Sequence, residues 1–393
     1  MNHVSEIGAS NRIDLPLEEQ IVRLQALLEA SRLVHSTIDL DRVLHEAVRI
    51  AVLELEMEAA FFTESRISFG HLPDGMDRET QAGLPRFPLL ARNGTLLSEL
   101  VLVPPDGREL SLYETDFIEG LVLQTSLAAE NAANHKRSIE YARVAQDLDA
   151  ARAIQRSLLP QSMPLIPGYS FAARSNACYE VGGDYLDVVT EPGGSLLGVV
   201  ADVAGKGLAS ALVSTAFRSA FRALARQLLP LDELATRLSQ QHWEEGLEAR
   251  RRYVTAVFFR LDPATGDLDF LNAGHNPPFL VSPGMADTKS IAASGVPLGL
   301  LPGATYKTER VSFTAGARLL LYTDGLTEFS QGEEEFGGDR LIEAFRDSDS
   351  TSAEATLDQI WRSLGSFTSH APQQDDMTAI ALCRLTSTTQ EKA

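Results

Sequence analysis

The sequence predicts an α+β protein in which the sheets are largely antiparallel. Helical periodicity dominates before Pro160, and runs of strand-forming residues dominate after it. Strands in groups, with helices also in groups, favour antiparallel sheets over strict βαβ alternation. A chain of 393 residues also has room for two or three folded units.

The N-terminal part of the chain shows mainly helical patterns. Residues 1–15 are polar and irregular, which predicts a disordered tail. Apolar residues recur at three- and four-residue steps from Leu17 to Glu56, which predicts two helices. Asp39 or Asp41 can cap the second of them. Two short strands and another helix follow, at Ala59–Thr63, Leu96–Val103 and about Tyr113–Asn134.

The next segment, 135–160, is predicted to be a helical connector. No glycine or proline occurs between His135 and Pro160, which favours an unbroken helix. Its apolar residues keep the near-heptad spacing of a coiled coil, at Val144, Leu148, Ala151 and Leu158. We expect this helix to pair with its copy in a homodimer. The alternative is a surface helix packed on its own chain.

After Pro160 the pattern changes to short apolar runs typical of strands. The predicted strands are Ser170–Ala177, Tyr185–Thr190, Leu196–Ala201, Tyr253–Leu261, Phe279–Val281, Arg318–Tyr322 and Thr378–Arg384. The predicted helices are Ala209–Leu229, Leu231–Leu247 and Ala353–Leu364.

Composition excludes several classes of partner and site. The chain has 34 basic and 54 acidic residues and a formal charge of −20, which disfavours nucleic acid and membrane as partners. Only Cys178 and Cys383 occur, too few for a disulfide framework or a zinc knuckle and suited to a reducing compartment. Neither a signal peptide nor an apolar run of membrane-spanning length is visible, so we expect a soluble, cytoplasmic protein.

Four aspartates stand at the ends of predicted strands and indicate a metal site. A carboxylate at the end of a buried apolar strand is costly to desolvate unless a positive charge neutralises it. Four such strand ends can meet at one sheet edge. Oxygen ligands without a His or Cys cluster favour Mg²⁺ or Mn²⁺ over zinc, and two such ions can hold a hydroxide for attack on phosphorus. The four are Asp184, Asp202, Asp324 and Asp375.

Taken singly, these aspartates have simpler explanations. Asp324-Gly325 alone is an ordinary turn dipeptide. Asp202 alone can be the N-cap of the helix predicted at Ala209–Leu229. Their order and combination carry the interpretation.

Five ordered blocks resemble those of bacterial serine phosphatases of the SpoIIE/RsbU type, within the metal-dependent PPM (PP2C-like) class. The blocks are Gly182-Gly183-Asp184, Asp202-Val203-Ala204-Gly205-Lys206-Gly207, Asn272-Ala273-Gly274-His275-Asn276-Pro277-Pro278, Tyr322-Thr323-Asp324-Gly325 and Asp375-Asp376-Met377-Thr378. The resemblance covers about Ala151 to Leu385. It implies an α-β-β-α sandwich, two Mn²⁺ or Mg²⁺ ions, and hydrolysis of a phosphoserine or phosphothreonine protein, commonly an anti-sigma-factor antagonist.

Carried over by position, the resemblance also implies residue roles. A metal-activated hydroxide would attack phosphorus directly, and the backbone of Val203 or Gly205 would lie near the ions. Asp376 is expected to face away as a strand-edge charge, and Asp187 to reach a metal-bound water or to be a solvated strand residue. The catalytic and metal-ligating residues would be Asp184, Asp202, Asp324 and Asp375.

One departure from the family pattern concerns the general acid. Eukaryotic members of the class carry a histidine where this chain has Ala204. His275 is a candidate acid, against a structural role in shaping the Pro277-Pro278 turn. Lys206 is a candidate for binding substrate phosphate or an acidic partner, against a solvated loop lysine.

The N-terminal region, from about Gln20 to Asn134, resembles a GAF domain through its helix pattern and order. The predicted organisation is therefore a tail at 1–15, a GAF-like regulatory domain at 16–134, the helical connector at 135–160 and a PPM-type phosphatase domain at 161–388. The alternatives to a protein phosphatase are a non-catalytic scaffold of the same fold and a small-molecule phosphatase.

Overall fold

The computed structural model describes residues 17–65, 67–72, 83–105, 108–283, 288–369 and 371–386. The chain divides into two compact units, Met1–Ala145 and Gln146–Ala393. The tail predicted at 1–15 lies outside the described residues. The domain boundaries drawn from the sequence remain predictions.

The N-terminal unit packs helices against a four-stranded antiparallel sheet. Its elements are helices α1 (Leu17–Val34) and α2 (Leu40–Leu55) and strands β1 (Ala59–Phe62), β2 (Ser68–Gly70), β3 (Arg86–Leu90) and β4 (Leu96–Val103). The strand order is β2-β1-β4-β3. Of the two candidate caps, Asp39 is the N-cap of α2, and it accepts a hydrogen bond from Arg42 N at 3.0 Å. The GAF-like identity of this unit remains a prediction.

A single helix of 47 residues, α3 (Leu112–Leu158), contains both the predicted helix at 113–134 and most of the predicted connector. It begins with a capping box, because Glu114 accepts from Ser111 N at 2.8 Å and donates its own N–H to Ser111 Oγ at 3.3 Å. Val144, on the predicted coiled-coil seam, is 52% exposed. Throughout the described ranges, no helix combines the length and apolarity needed to cross a bilayer.

Two five-stranded antiparallel sheets form the C-terminal unit. Their strand orders are β12-β9-β8-β7-β6 and β11-β10-β13-β16-β5. The strands of the first sheet are β6 (Tyr185–Thr190), β7 (Leu196–Val203), β8 (Val254–Leu261), β9 (Asp267–Ala273) and β12 (Glu309–Ser312). Those of the second are β5 (Tyr169–Asn176), β10 (Phe279–Val281), β11 (Lys289–Ser290), β13 (Arg318–Tyr322) and β16 (Met377–Arg384). A small hairpin pairs β14 (Ser330–Gln331) with β15 (Glu334–Glu335).

Within the described part of this unit there are five helices. They are α4 (Leu208–Ala225), α5 (Leu231–Glu244), α6 (Leu247–Arg250), α7 (Gly337–Arg346) and α8 (Ala353–Thr368), and a short 3₁₀ helix follows β13 at Asp324–Leu326.

The layers follow from the alternation of side chains along each strand. On β7, Val199 and Ala201 pack with α4 and α5, whereas Leu196 and Val200 pack against the second sheet, where Leu319 lies. Helices α7 and α8 cover the outer face of the second sheet. The result is an α-β-β-α sandwich, which confirms the predicted fold class.

Candidate metal centre

The first sheet places two of the predicted aspartates side by side. Asp184 directly precedes β6, and Asp202 lies near the end of β7. These strands are antiparallel neighbours, and Tyr185 is paired with Ala201. Asp184 directly precedes Tyr185 and Asp202 directly follows Ala201, so the two aspartates lie next to each other at the same edge of the sheet.

The second sheet brings the other two aspartates to the same place. Asp324 follows β13 and Asp375 precedes β16, and these two strands are also antiparallel neighbours. The hydroxyl of Thr323 donates to Asp184 Oδ2 at 2.8 Å and so joins the two sheets at this edge.

Burial and mutual repulsion make these carboxyl groups unfavourable as anions. Desolvation, followed by the charge of Asp202, raises the pKa of Asp184 well above its usual range. Desolvation, followed by repulsion from Asp324 and Asp375, raises the pKa of Asp202 to about 7. The pKa of Asp324 is raised by the same two causes, desolvation and then Asp375. A cation bound between these groups would relieve that repulsion.

Lys206 supplies a positive charge at this edge. Its Nζ lies 2.6 Å from Asp375 Oδ2 and donates to the backbone oxygen of Gln374 at 3.0 Å. The lysine is therefore bound to a predicted metal ligand instead of being simply solvated. In this arrangement no three His, Cys, Asp or Glu side chains of the described residues surround a point where a metal ion would fit.

The expectation that Asp376 faces away was wrong. Its Oδ1 accepts from Cys178 N and its Oδ2 from Gly183 N, both at 2.7 Å. A Cβ on Gly182 would lie only 2.5 Å from Asp376 Oδ2, so the close approach requires glycine there. Asp376 thus shapes the loop that carries Asp184.

The geometry of His275 favours the structural alternative over the role of general acid. The ring is buried, with Nδ1 2.8 Å from Thr255 Oγ1 and Nε2 3.1 Å from the Tyr322 carbonyl oxygen. Since a carbonyl only accepts, Nε2 carries the proton and Nδ1 accepts from Thr255. Burial lowers the pKa of His275 to about 4, so the ring is neutral at pH 7 and carries no imidazolium proton to donate. The one proton it keeps, on Nε2, is bonded to the Tyr322 carbonyl oxygen.

Asp187 also belongs to a structural contact, so the solvated alternative is wrong. The residue is completely buried. Its carboxylate accepts from Arg222 Nε at 2.6 Å, from Arg222 Nη2 at 2.9 Å and from the Tyr185 hydroxyl at 2.5 Å. This bidentate pair ties β6 to α4, and its oxygens are occupied by protein donors.

The helix-cap alternative for Asp202 is wrong as well. Asp202 lies within β7, and the N-cap of α4 is Gly207. The Val203 carbonyl oxygen would be 3.0 Å from a Cβ on Gly183, which places it beside the loop that precedes Asp184. Its predicted position close to the aspartates therefore agrees with the structure.

The sequence interpretation missed two residues of this edge. Thr323 lies inside a recognised block but carried no assigned role, and Gln155, near the end of α3, bonds the backbone of Gly182. Both act through contacts between residues far apart in the chain, which single-sequence patterns do not reveal. An open cleft of about 980 Å³ is lined by Gln155, Gly182, Asp184 and Asp376 among others.

Comparison with known proteins agrees with the fold of the C-terminal unit. The family model "Stage II sporulation protein E (SpoIIE)" matches residues 192–385. Because the match covers most of the C-terminal unit, we call that unit the SpoIIE-type domain. Its fold is similar to that of the SiaA-PP2C domain of Pseudomonas aeruginosa, with a TM-score of 0.53 and 22% identity over 63% of this chain and 99% of that one.

Two curated relatives are also similar to parts of this chain. Phosphoserine phosphatase RsbP of Bacillus subtilis is 29% identical over 191 residues, 47% of this chain and 45% of RsbP. Protein IcfG of Synechocystis sp. is 28% identical over 265 residues, 61% of this chain and 41% of IcfG. The chain spans about half the length of the curated relatives it matches.

The donor chemistry of this SpoIIE-type site suits hard divalent cations. Asp184 and Asp202 offer carboxylate oxygens, and burial and neighbouring carboxylates raise the pKa of both groups. The carbonyl of Val203 adds a neutral oxygen. Oxygen donors of this kind fit Mg²⁺ or Mn²⁺. Asp375 would first have to leave Lys206.

Proposed function

We propose that this protein is a metal-dependent serine/threonine protein phosphatase. The proposal depends chiefly on one observation: aspartates from both sheets of a SpoIIE-type domain gather at one edge and raise one another's pKa. Two relatives that match about half of this chain carry the name phosphoserine phosphatase, RsbP and RsbU of Bacillus subtilis. The activity in these names supports the proposal that this protein hydrolyses a phosphate monoester.

In this proposal the cofactor is Mn²⁺ or Mg²⁺, two ions per domain. The carboxylates of Asp184, Asp202, Asp324 and Asp375 would hold them, with the carbonyl of Val203. Bound there, the cations supply polarisation of water and compensation of charge on the phosphoryl group.

The remaining residues of the edge would orient the ligands. Thr323 directs one oxygen of Asp184 by donating its hydroxyl proton to it. Asp376 holds the preceding loop through the amide of Gly183. Because Ala204 offers no proton and His275 is buried and neutral, protonation of the leaving serine oxygen would come from solvent at the cleft.

We further propose that the substrate is a phosphorylated protein, with an anti-sigma-factor antagonist as the leading candidate. The N-terminal unit and the exposed part of α3 would provide regulation and homodimerisation. The chain's acidity, −20 overall, agrees with a protein substrate and not a nucleic acid.

The direct test is turnover of a phosphoserine protein with and without Mn²⁺. Asp184→Asn and Asp375→Asn should each lower the rate by more than about 100-fold, beyond the usual cost of losing a metal ligand's outer partner. Asp232→Asn, at an exposed position at the start of α5, is the matched control and should keep the wild-type rate. A wild-type protein without metal-dependent turnover would favour the scaffold alternative, and faster hydrolysis of phosphorylated metabolites than of phosphoproteins would favour the small-molecule one.

A further inference from the structure

Gln155 makes a two-way contact with the loop that carries Asp184. Its Nε2 donates to the carbonyl oxygen of Gly182 at 2.7 Å, and its Oε1 accepts from the amide of the same glycine at 3.1 Å. One side-chain amide therefore satisfies both backbone groups of Gly182, in the way a neighbouring strand would. Among common side chains only glutamine and asparagine offer a donor and an acceptor so arranged.

The other side of this loop is held by Asp376. The amide of Gly183 donates to Asp376 Oδ2 at 2.7 Å, and a Cβ on Gly182 would meet that same oxygen at 2.5 Å. Gly182 and Gly183 thus lie between Gln155 and Asp376. Without side chains of their own, these two glycines depend on such contacts for a fixed conformation.

The helical end that carries Gln155 is itself anchored. Arg218, on α4, donates through Nε to the carbonyl oxygen of Leu158 at 2.8 Å, close to the end of α3. Gln155 therefore lies about one helical turn from a point where α3 is bonded to α4. Its side-chain amide links this end of α3 to the loop that precedes β6.

We infer that Gln155 is a positioning residue for the metal-binding carboxylate of Asp184. This inference rests on the proposed function and names a residue that acts on the site from outside the ligand set. Gln155 fixes the backbone of Gly182, the next glycine is fixed by Asp376, and Asp184 follows directly with its carboxyl aimed at Asp202. Loss of the two hydrogen bonds between Gln155 and Gly182 should leave the metal ligands present but imprecisely placed. Metal affinity should therefore fall while the fold is retained.

The test compares Gln155→Met and Gln155→Ala with the matched control Gln161→Met in the full chain. Gln161 also bonds its side-chain amide to backbone carbonyls, those of Arg156 and Leu159, and has no contact with Gly182 among those the structure gives. Titration calorimetry with Mn²⁺ should show about tenfold weaker binding for both Gln155 variants, the value of two modest hydrogen bonds. The control should bind as the wild type does.

Two further measurements separate positioning from a general loss of structure. Amide hydrogen exchange at Gly182 should speed up in the Gln155 variants, while the thermal midpoint without metal stays within about 2 °C of the wild type. At saturating Mn²⁺ the variants' kcat should return to within about threefold of the wild type, because the ligands themselves are intact.

The outcomes distinguish this inference from the proposed function. If the wild type binds Mn²⁺ and hydrolyses phosphoserine but both Gln155 variants bind Mn²⁺ equally well, only the positioning role is overturned. If the wild type binds no Mn²⁺, both proposals fail. If Gln155→Met does not fold, Gln155→Ala gives the same reading, since alanine is well tolerated in a helix.

Discussion

At the scale of single residues, Lys206 has the most informative contact. The sequence offered phosphate binding, partner binding or solvent as its environment, and the structure adds a fourth, the ion pair with Asp375. In that position the ammonium replaces part of the positive charge that a cation would bring. A lysine bound to a proposed ligand must be displaced before that ligand can turn to a metal.

This competition predicts the effect of removing the lysine. Lys206→Met should tighten Mn²⁺ binding by about two- to fivefold, in line with the modest strength of a half-exposed ion pair. Titration calorimetry would measure it, with Lys289→Met as control because Lys289 makes a comparable ion pair with Glu309 on the surface. Weaker Mn²⁺ binding in Lys206→Met would contradict the competition.

Residues also show where single-sequence reasoning reached its limit. The strand-end positions of the aspartates were visible because hydrophobic periodicity stops at them. The contacts of Asp187 and Asp376 were not, since Arg222 and the amide of Gly183 are far from them in the sequence. Burial of His275 likewise depends on Thr255 and Tyr322, which only the folded sheets bring to it.

At the scale of elements, local signals predicted most of what depends on neighbours in sequence. Strands β4, β6 and β10 have the predicted bounds. Asp39, one of the two candidate caps, is the N-cap of α2. Strands β2, β3 and β9 and helix α7 were missed because their patterns are short or mixed. The three strands are stabilised by pairing across the sheet, β2 with β1, β3 with β4 and β9 with β8.

The start of α3 provides a test of element stability. Glu114 accepts from Arg108 and from Ser111, and the hydrogen bond from Arg108 is the main cause that lowers the pKa of Glu114 to about 2. Because the folded pKa lies below the ordinary value of 4.5, the contact stabilises the fold fully above pH 4.5 and is lost as pH falls toward 2.

Glu114→Gln should therefore destabilise the N-terminal unit at pH 7 by about 1–2 kcal/mol. A hydrogen bond to a charged group contributes about 1.5–3 kcal/mol, and the 40% exposure of the Arg108 side chain reduces that value. The difference from the wild type should shrink steadily below pH 4.5. Amide exchange in α2 would report the free energy of unfolding of this unit, and Glu119→Gln, exposed on the same helix, is the control. A difference that does not change with pH would mean that the charge of Glu114 is not what stabilises the helix start.

At the scale of the whole molecule, the sequence predicted the α-β-β-α architecture correctly because the order of its blocks is specific. It did not predict that α3 would run without a break from Leu112 to Leu158. Apolar side chains on this helix remain in contact with solvent, with Tyr141 72%, Val144 52% and Ile154 63% exposed. Such residues favour association with a second helix.

The proposed homodimer predicts a clear change in mass. Wild-type protein should behave as a dimer in size-exclusion chromatography with light scattering, and Val144→Glu combined with Leu148→Glu should shift it to monomer, since charges on a seam repel across the interface. Gln146→Glu, two residues away on another face of the helix, should leave the dimer intact. A monomeric wild type at micromolar concentration would rule out the coiled-coil interpretation.

The hydroxyl of Thr323 has a consequence beyond orienting a ligand. It comes from the end of one sheet and binds the carboxylate at the edge of the other, so the acidic edge exists only while the sandwich is closed. If cations bind there as proposed, their binding and the association of the two sheets would form a single linked equilibrium. The ambient concentration of divalent ions would thereby set how long the folded domain survives, as well as how fast it works.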